Sequence, residues 1–63
     1  MTSADEKIAA AITANGCPLT EDELMVETGL TAAAIRNGLN ELFRQERVYS
    51  IRDDSTYLYM VKS

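Results

Sequence analysis

Three polar residues with the chemistry to read nucleic-acid bases recur at helical spacing in the middle of the chain. Arg36, Asn37 and Asn40 fall on one face of any helix that contains them, and the small residues Ala32 and Ala33 precede them on that face. Arginine and asparagine side chains pair in a bidentate manner with guanine and adenine edges, and small residues let a helix backbone approach another surface. The face is a candidate recognition surface; a solvated helix face is the alternative.

Residues for catalysis and metal binding are scarce. The chain contains no histidine, its one cysteine is Cys17, and it has no glycine-rich phosphate loop. Three adjacent carboxylates, Glu21, Asp22 and Glu23, suit the positive end of a helix and need no catalytic explanation. We therefore expect neither an enzyme nor a metal site, and no cofactor or small-molecule substrate.

The candidate face belongs to a predicted helix-turn-helix over residues 20–45. Thr20 and Glu23 have the spacing of a capping box at the start of one helix, and Gly29 is placed to end that helix in the left-handed region. Thr31 can cap the next helix, predicted over residues 32–45. The predicted buried positions of this second helix are Ile35, Leu39, Leu42 and Phe43. A generic helical hairpin is the alternative.

An earlier helix and a short link are predicted before this unit. Ser3 and Glu6 have capping-box spacing, and Ile8 and Ile12 form a narrow apolar face. Cys17, Pro18 and Leu19 then form a link in which any strand is brief and at a sheet edge, since proline cannot donate a ladder hydrogen bond. In the later helix, Gly38 indicates either close approach of another helix or simple tolerance.

A β-hairpin is predicted over residues 47–62. Two runs rich in β-branched and aromatic residues, 48–52 and 56–61, flank the turn-forming residues 53–55. Alternation puts Tyr57, Tyr59 and Val61 on one face and Leu58 and Met60 on the other, so one face must cover the helices while the other stays partly exposed.

Size and charge limit the possibilities further. The 63 residues allow one domain, residues 1–63, of class α+β. No apolar run approaches the roughly 18 to 20 residues of a membrane span, and the N-terminus lacks signal-peptide order, so we expect a cytoplasmic protein. The net charge is −4, but residues 1–30 carry −5 and residues 31–63 carry +1. The half with the candidate face is the half that is not acidic.

Three helices and a hairpin, with the helix-turn-helix in the middle, resemble a winged helix whose wing tip is residues 53–55. The chain is similar to the very small bacterial regulators of the fimbrial-operon (PapI-like) family. The matching features are the apolar turn residue Leu30, Thr31, Arg36 and the aromatic strand within residues 55–62. This resemblance covers nearly the whole chain.

The resemblance implies a transcriptional regulator that binds double-stranded DNA, often beside a larger regulator. It implies that Arg36, Asn37 and Asn40 contact bases. Thr31 and Ala32 would lie near phosphate at the helix start, and Arg52 would serve the wing. Because phosphate contacts supply most of the non-specific affinity, so acidic a chain should bind DNA weakly unless it acts as a homodimer or with a second regulator.

Acidic residues motivate a second hypothesis, in which the winged helix binds protein instead of DNA. Asp53 and Asp54 occupy the wing tip, where DNA-binding wings usually carry lysine or arginine. Together with Val26, Tyr57 and Tyr59 they would contact a basic partner, as in a small phage or plasmid protein that binds a host factor.

Overall fold

Three helices and three strands make up the fold. The computed structural model describes residues 3–62. The elements in chain order are α1 (Ala4–Asn15), β1 (Leu19–Thr20), α2 (Glu21–Thr28), α3 (Ala32–Arg44), β2 (Val48–Asp53) and β3 (Thr56–Val61). The predicted α+β class is confirmed: three helices precede a C-terminal antiparallel hairpin, the arrangement of a winged helix.

Local capping sets the boundaries of α2 and α3 as predicted. The Thr20 hydroxyl accepts a hydrogen bond from the Glu23 amide at 3.2 Å, and the Glu23 carboxylate accepts one from the Thr20 amide at 3.0 Å. Gly29 ends α2 with φ of 73°, in the left-handed region that a residue without Cβ enters at little cost. The Thr31 hydroxyl accepts from the Ala34 amide at 3.2 Å and starts α3.

The capping box predicted at the start of α1 is wrong. Ser3 precedes the helix, but its hydroxyl accepts no backbone N–H and instead donates to the Asp5 carboxylate. The Asp5 carboxylate, two residues away, is a strong acceptor, so it accepts the hydrogen bond of the hydroxyl and holds that side chain away from the helix amides. Glu6, the other member of the predicted box, contacts Arg47 at 2.9 Å.

Nine apolar residues from every helix, β1 and β2 form the core, and they are Ile8, Ala9, Ile12, Leu19, Leu24, Ile35, Leu39, Leu42 and Val48. Gly38 is buried where α1 crosses α3, and a Cβ placed there would lie 2.5 Å from Cδ1 of Ile8 and 3.3 Å from the Asp5 amide nitrogen. Close approach of another helix is therefore the reason for this glycine.

Phe43 was predicted to be buried, and the structure contradicts this. Its side chain is 36% exposed and meets Tyr59 edge to face, with ring centroids 5.9 Å apart. One residue corresponds to about 100° around a helix, so Phe43 is displaced from the line through Ile35, Leu39 and Leu42. It therefore covers the hairpin at the margin of the core.

The sheet has the strand order β1-β3-β2, with both pairs antiparallel. The predicted brief edge strand is β1, where Leu19 pairs with Tyr59. Asp53 belongs to β2, so the turn is shorter than the predicted 53–55; it consists of Asp54, with φ of 57°, and Ser55. Within the described part of the chain, the helices are too short or too polar to cross a bilayer.

Substituting Gly38 tests the crossing of α1 and α3. Gly38→Ala gains about 1 kcal/mol in helix propensity, but overpacking against Ile8 costs about 1–3 kcal/mol, so we expect a lower free energy of unfolding in urea. Ile8→Val removes Cδ1, the nearest atom, and alone costs about 0.5–1.5 kcal/mol. The free energy of unfolding of the double variant should fall by less than the sum of the decreases in the two single variants. Simple additivity would contradict the proposed clash.

Candidate nucleic-acid interface

The N-terminus of α3 is open to an approaching anion. Thr31 and Ala33 are exposed and Ala32 is half-buried. The first turn of α3 contains no acidic residue, whereas the first turns of α1 and α2 both do. Helix geometry leaves the first amides without intrahelical acceptors, and the alanine side chains are too short to block them. A phosphate oxygen can therefore reach this end of the helix.

Arg36, Asn37 and Asn40 follow along α3 as predicted, and all three are exposed. The buried residues of α3 lie on its opposite side, so the core itself turns these polar groups outward. We call the exposed set Thr31, Ala32, Ala33, Arg36, Asn37 and Asn40 the α3 surface.

Arg36 is held only loosely by the protein. Its Nη2 lies 3.7 Å from Oε1 of Glu21 at the start of α2, and the arginine side chain remains 69% exposed. An exposed pair at this distance is worth about 0–1 kcal/mol, so a phosphate or a base can displace the carboxylate. Glu21 nevertheless reduces the positive charge of the α3 surface.

Arg44 extends the α3 surface but was missing from the predicted site. It lies four residues beyond Asn40 and is exposed, so the spacing 36, 40, 44 was the available signal. Its Nη2 donates to both carboxylate oxygens of Glu41 at 2.7 Å, and these hydrogen bonds lower the pKa of Glu41. Arg44 is thus engaged more tightly than Arg36.

Arg52 lies on the side of the hairpin that faces the helices. It pairs across the strands with Tyr57, two residues from the Ser50 and Tyr59 pair, and Tyr59 contacts α3 through Phe43. The Arg52 guanidinium lies 5.9 Å from the centre of the Tyr57 ring, and its Nε donates to the Asp54 carbonyl at 3.3 Å. The hairpin therefore presents one arginine on the same side as α3.

Tyr59 joins the hairpin to α2 and α3. Burial raises its pKa above the ordinary value, and the carboxylate of Glu21 and then Tyr57 raise it further, while Arg36 opposes them. Tyr59 borders one depression with Glu21 and Tyr57 and contacts Phe43, so the start of α2, α3 and the wing meet around this one phenol.

The residues predicted for a protein partner do not form one surface. Val26 is 81% exposed on α2 and borders a depression with Asn15 and Leu19. Tyr57 instead borders a depression between the wing and the start of α2. Asp53 and Asp54 are exposed at the wing tip, but Tyr59 is half-buried in its contact with α3.

Metal-ligating side chains are dispersed. Within residues 3–62, no three carboxylate or thiol side chains are grouped closely enough to hold a metal ion. Cys17 is exposed beside β1 and forms no disulfide there.

The titration of Tyr59 tests the geometry of this junction. We expect its pKa, assigned from the difference in tyrosinate absorbance between the wild type and Tyr59→Phe, to lie above 10.0. Because the pKa of Tyr59 is higher in the folded than in the unfolded state, its contribution to the free energy of unfolding is complete below pH 10. That contribution is lost as the pH rises through the folded-state pKa.

Two further variants make that measurement specific. Glu21→Gln removes a charge that raises the pKa of Tyr59 and should lower it, whereas Asp22→Asn, in the same helical turn, should leave it unchanged. Equal shifts in both variants would show that Glu21 is not the carboxylate that Tyr59 senses.

Comparison of the chain with protein families, with curated proteins and with solved structures found no match. The resemblance to the fimbrial-operon (PapI-like) regulators therefore stays a prediction. The winged-helix arrangement rests on the order and pairing of the chain's own helices and strands.

Proposed function

We propose that this protein is a sequence-specific DNA-binding regulator of transcription that places α3 in the major groove. The observation that carries this proposal is the α3 surface, where Arg36, Asn37 and Asn40 project from a helix with an acid-free first turn. The second helix of a helix-turn-helix enters the major groove with its N-terminal residues at base edges. Arginine and asparagine are the side chains that read guanine and adenine there.

The bound geometry follows from the same residues. The amides at the start of α3 would contact a backbone phosphate, and Arg36 would exchange Glu21 for a base or a phosphate. Arg52 would contact the neighbouring backbone from the wing. The acidic tip formed by Asp53 and Asp54 is repelled by phosphate, so the wing would rest beside the groove without entering it.

Charge limits the affinity of a single copy. The chain carries −4 overall, and the carboxylates of Glu41 and Glu6 hold Arg44 and Arg47 at 2.7 Å and 2.9 Å. Few phosphates can be neutralised by the remaining cations, and affinity falls with salt in proportion to that number. We therefore propose that DNA is bound by two copies or beside a larger DNA-bound protein, in the cytoplasm, and that the protein catalyses no reaction.

Arg36→Ala tests this function. Its affinity for a duplex that the wild type selects from a randomised pool, measured at low salt by fluorescence anisotropy, should fall by about 1–3 kcal/mol, roughly 5- to 150-fold. Arg47→Ala is the matched control, because it removes the same charge from the contact with α1 and should change binding much less. Glu21→Gln should strengthen binding, since it releases Arg36.

Amide chemical shifts supply the location of the contact. DNA-induced shifts should concentrate in residues 31–40 and around Arg52, and they should fade as the salt concentration rises. Equal losses in Arg36→Ala and Arg47→Ala, or no shifts at low salt, would refute unaided DNA binding through the α3 surface.

Val26 favours a second candidate function, an acidic module that binds a basic protein. It is 81% exposed on α2 and borders a depression with the acidic residues Asp22, Glu23 and Glu27. The acidic wing tip, Asp53 and Asp54, is a separate surface that could contact the same partner. An apolar side chain ringed by carboxylates is complementary to a basic surface with an apolar centre.

Charge reversal at the wing tip tests this second candidate. Asp53→Lys with Asp54→Lys should weaken binding of a lysine-rich amphipathic helix, measured by anisotropy, by at least about tenfold, whereas it should strengthen DNA binding. Glu46→Lys, at a similarly exposed site, is the charge-matched control for each single reversal, Asp53→Lys or Asp54→Lys. Unchanged peptide binding in the wing variant would remove the acidic tip from any such interface.

A further inference from the structure

The sheet has an apolar side that faces away from the helices. In the strand register, Thr20, Leu58 and Ile51 lie side by side, and Met60 and Tyr49 form the next row. These five residues alternate along the strands with Leu19, Tyr59 and Val48, which face the core, so the register places them on the opposite side of the sheet. Met60 also packs against the margin of the core. We call them the outer sheet face.

The outer sheet face is accessible and apolar. Tyr49 is 42% exposed, and Ile51, Leu58 and Met60 are half-buried. The four apolar side chains come from the neighbouring strands β2 and β3, so they are contiguous across that pair, and β1 adds only Thr20. Contiguous exposed apolar surface on a small domain marks a site of association.

Charge indicates what covers this face. The five residues of the outer sheet face are uncharged, although 16 of the chain's 63 residues are charged; Asp53 follows on the same side, in the row beyond Ile51 and Leu58. Two copies that each carry −4 repel one another, and this repulsion is least across a neutral area. A basic protein or a nucleic acid would instead be drawn to the charged surfaces.

The two ends of the hairpin are complementary to each other. Asp53 and Asp54 lie at its tip, whereas the exposed Lys62 lies at its open end beside Arg47, whose guanidinium is already paired with Glu6. A two-fold axis across β3 would reverse the second hairpin and set its acidic tip over the basic end of the first. Attraction would then act twice, at both ends of the apolar rows.

We infer that the outer sheet face binds a second copy of this chain and forms an antiparallel two-fold dimer. Six residues of β3 and three strands span only about 20 by 14 Å, well below the roughly 800 Å² per partner of a standard interface. The dimer is therefore weak and forms at high protein concentration.

The two-fold dimer would supply the second DNA-bound copy that the proposed function requires. The α3 surface and Arg52 belong to the other side of the sheet, so both copies keep them free. Two adjacent DNA sites would then raise the effective concentration of one copy near the other. Only this use of the dimer rests on the proposed function; self-association is measured without DNA.

Sedimentation equilibrium of the full chain tests the inference. Between about 10 µM and about 1 mM, under reducing conditions because Cys17 is exposed, the mass should rise from monomer to dimer. Ile51→Thr with Leu58→Thr keeps strand-compatible side chains but removes apolar contacts on both copies, and dimerisation should weaken at least about tenfold. Val26→Thr, at a still more exposed apolar site, should leave the mass unchanged.

Amide spectra keep the result interpretable. They report whether the variants are folded, and on dilution of the wild type the shifts should map to Tyr49, Ile51, Leu58 and Met60. A monomer at about 1 mM, or a dimer that Val26→Thr disrupts and the sheet variant does not, overturns the inference. Dimerisation without DNA binding would instead count against the proposed function alone, and DNA binding by a persistent monomer against the dimer alone.

Discussion

The crossing of α1 over α3 at Gly38 is the constraint on which the other contacts depend. Ile8 of α1 fills the space that a Cβ at this position would take, so the two helices approach closely and commit the Ile35, Leu39 and Leu42 side of α3 to the core. The polar side of the same helix is then exposed by necessity. Packing of apolar side chains thus determines where Arg36 and the two asparagines lie, although none of them contributes to it.

The hairpin completes the arrangement because its two sides differ. One side carries Tyr59 against Phe43, which fixes the wing beside α3, and the other side is apolar but has no helix to cover. Positive charge on the helix-facing side is modest, because carboxylates accompany most of the arginines. A fold of this size therefore combines exposed arginine and asparagine side chains with little attraction for phosphate, so the proposed function would be shared between copies or partners.

Features set by neighbouring residues could be predicted from the sequence, and features set by the tertiary structure could not. The caps of α2 and α3 and the glycine that ends α2 depend on three or four residues, and each appeared where expected. The box at Ser3 failed because Asp5 competes for the same hydroxyl, which spacing alone does not reveal. The helical period of the sequence predicted the α3 surface. The contact between Glu21 and Arg36 could not be predicted, because it joins separate helices and has no local sequence pattern.

The position of β3 in the sheet has a consequence for the order of assembly during protein synthesis. β3 is the last of the described strands along the chain, yet it is the central one, and neither β1 nor β2 has a partner before it is made. The helices bury local contacts, whereas β1 must pair with a strand nearly forty residues downstream, a non-local contact that forms slowly. We therefore expect the helices to pack first and the sheet to close last.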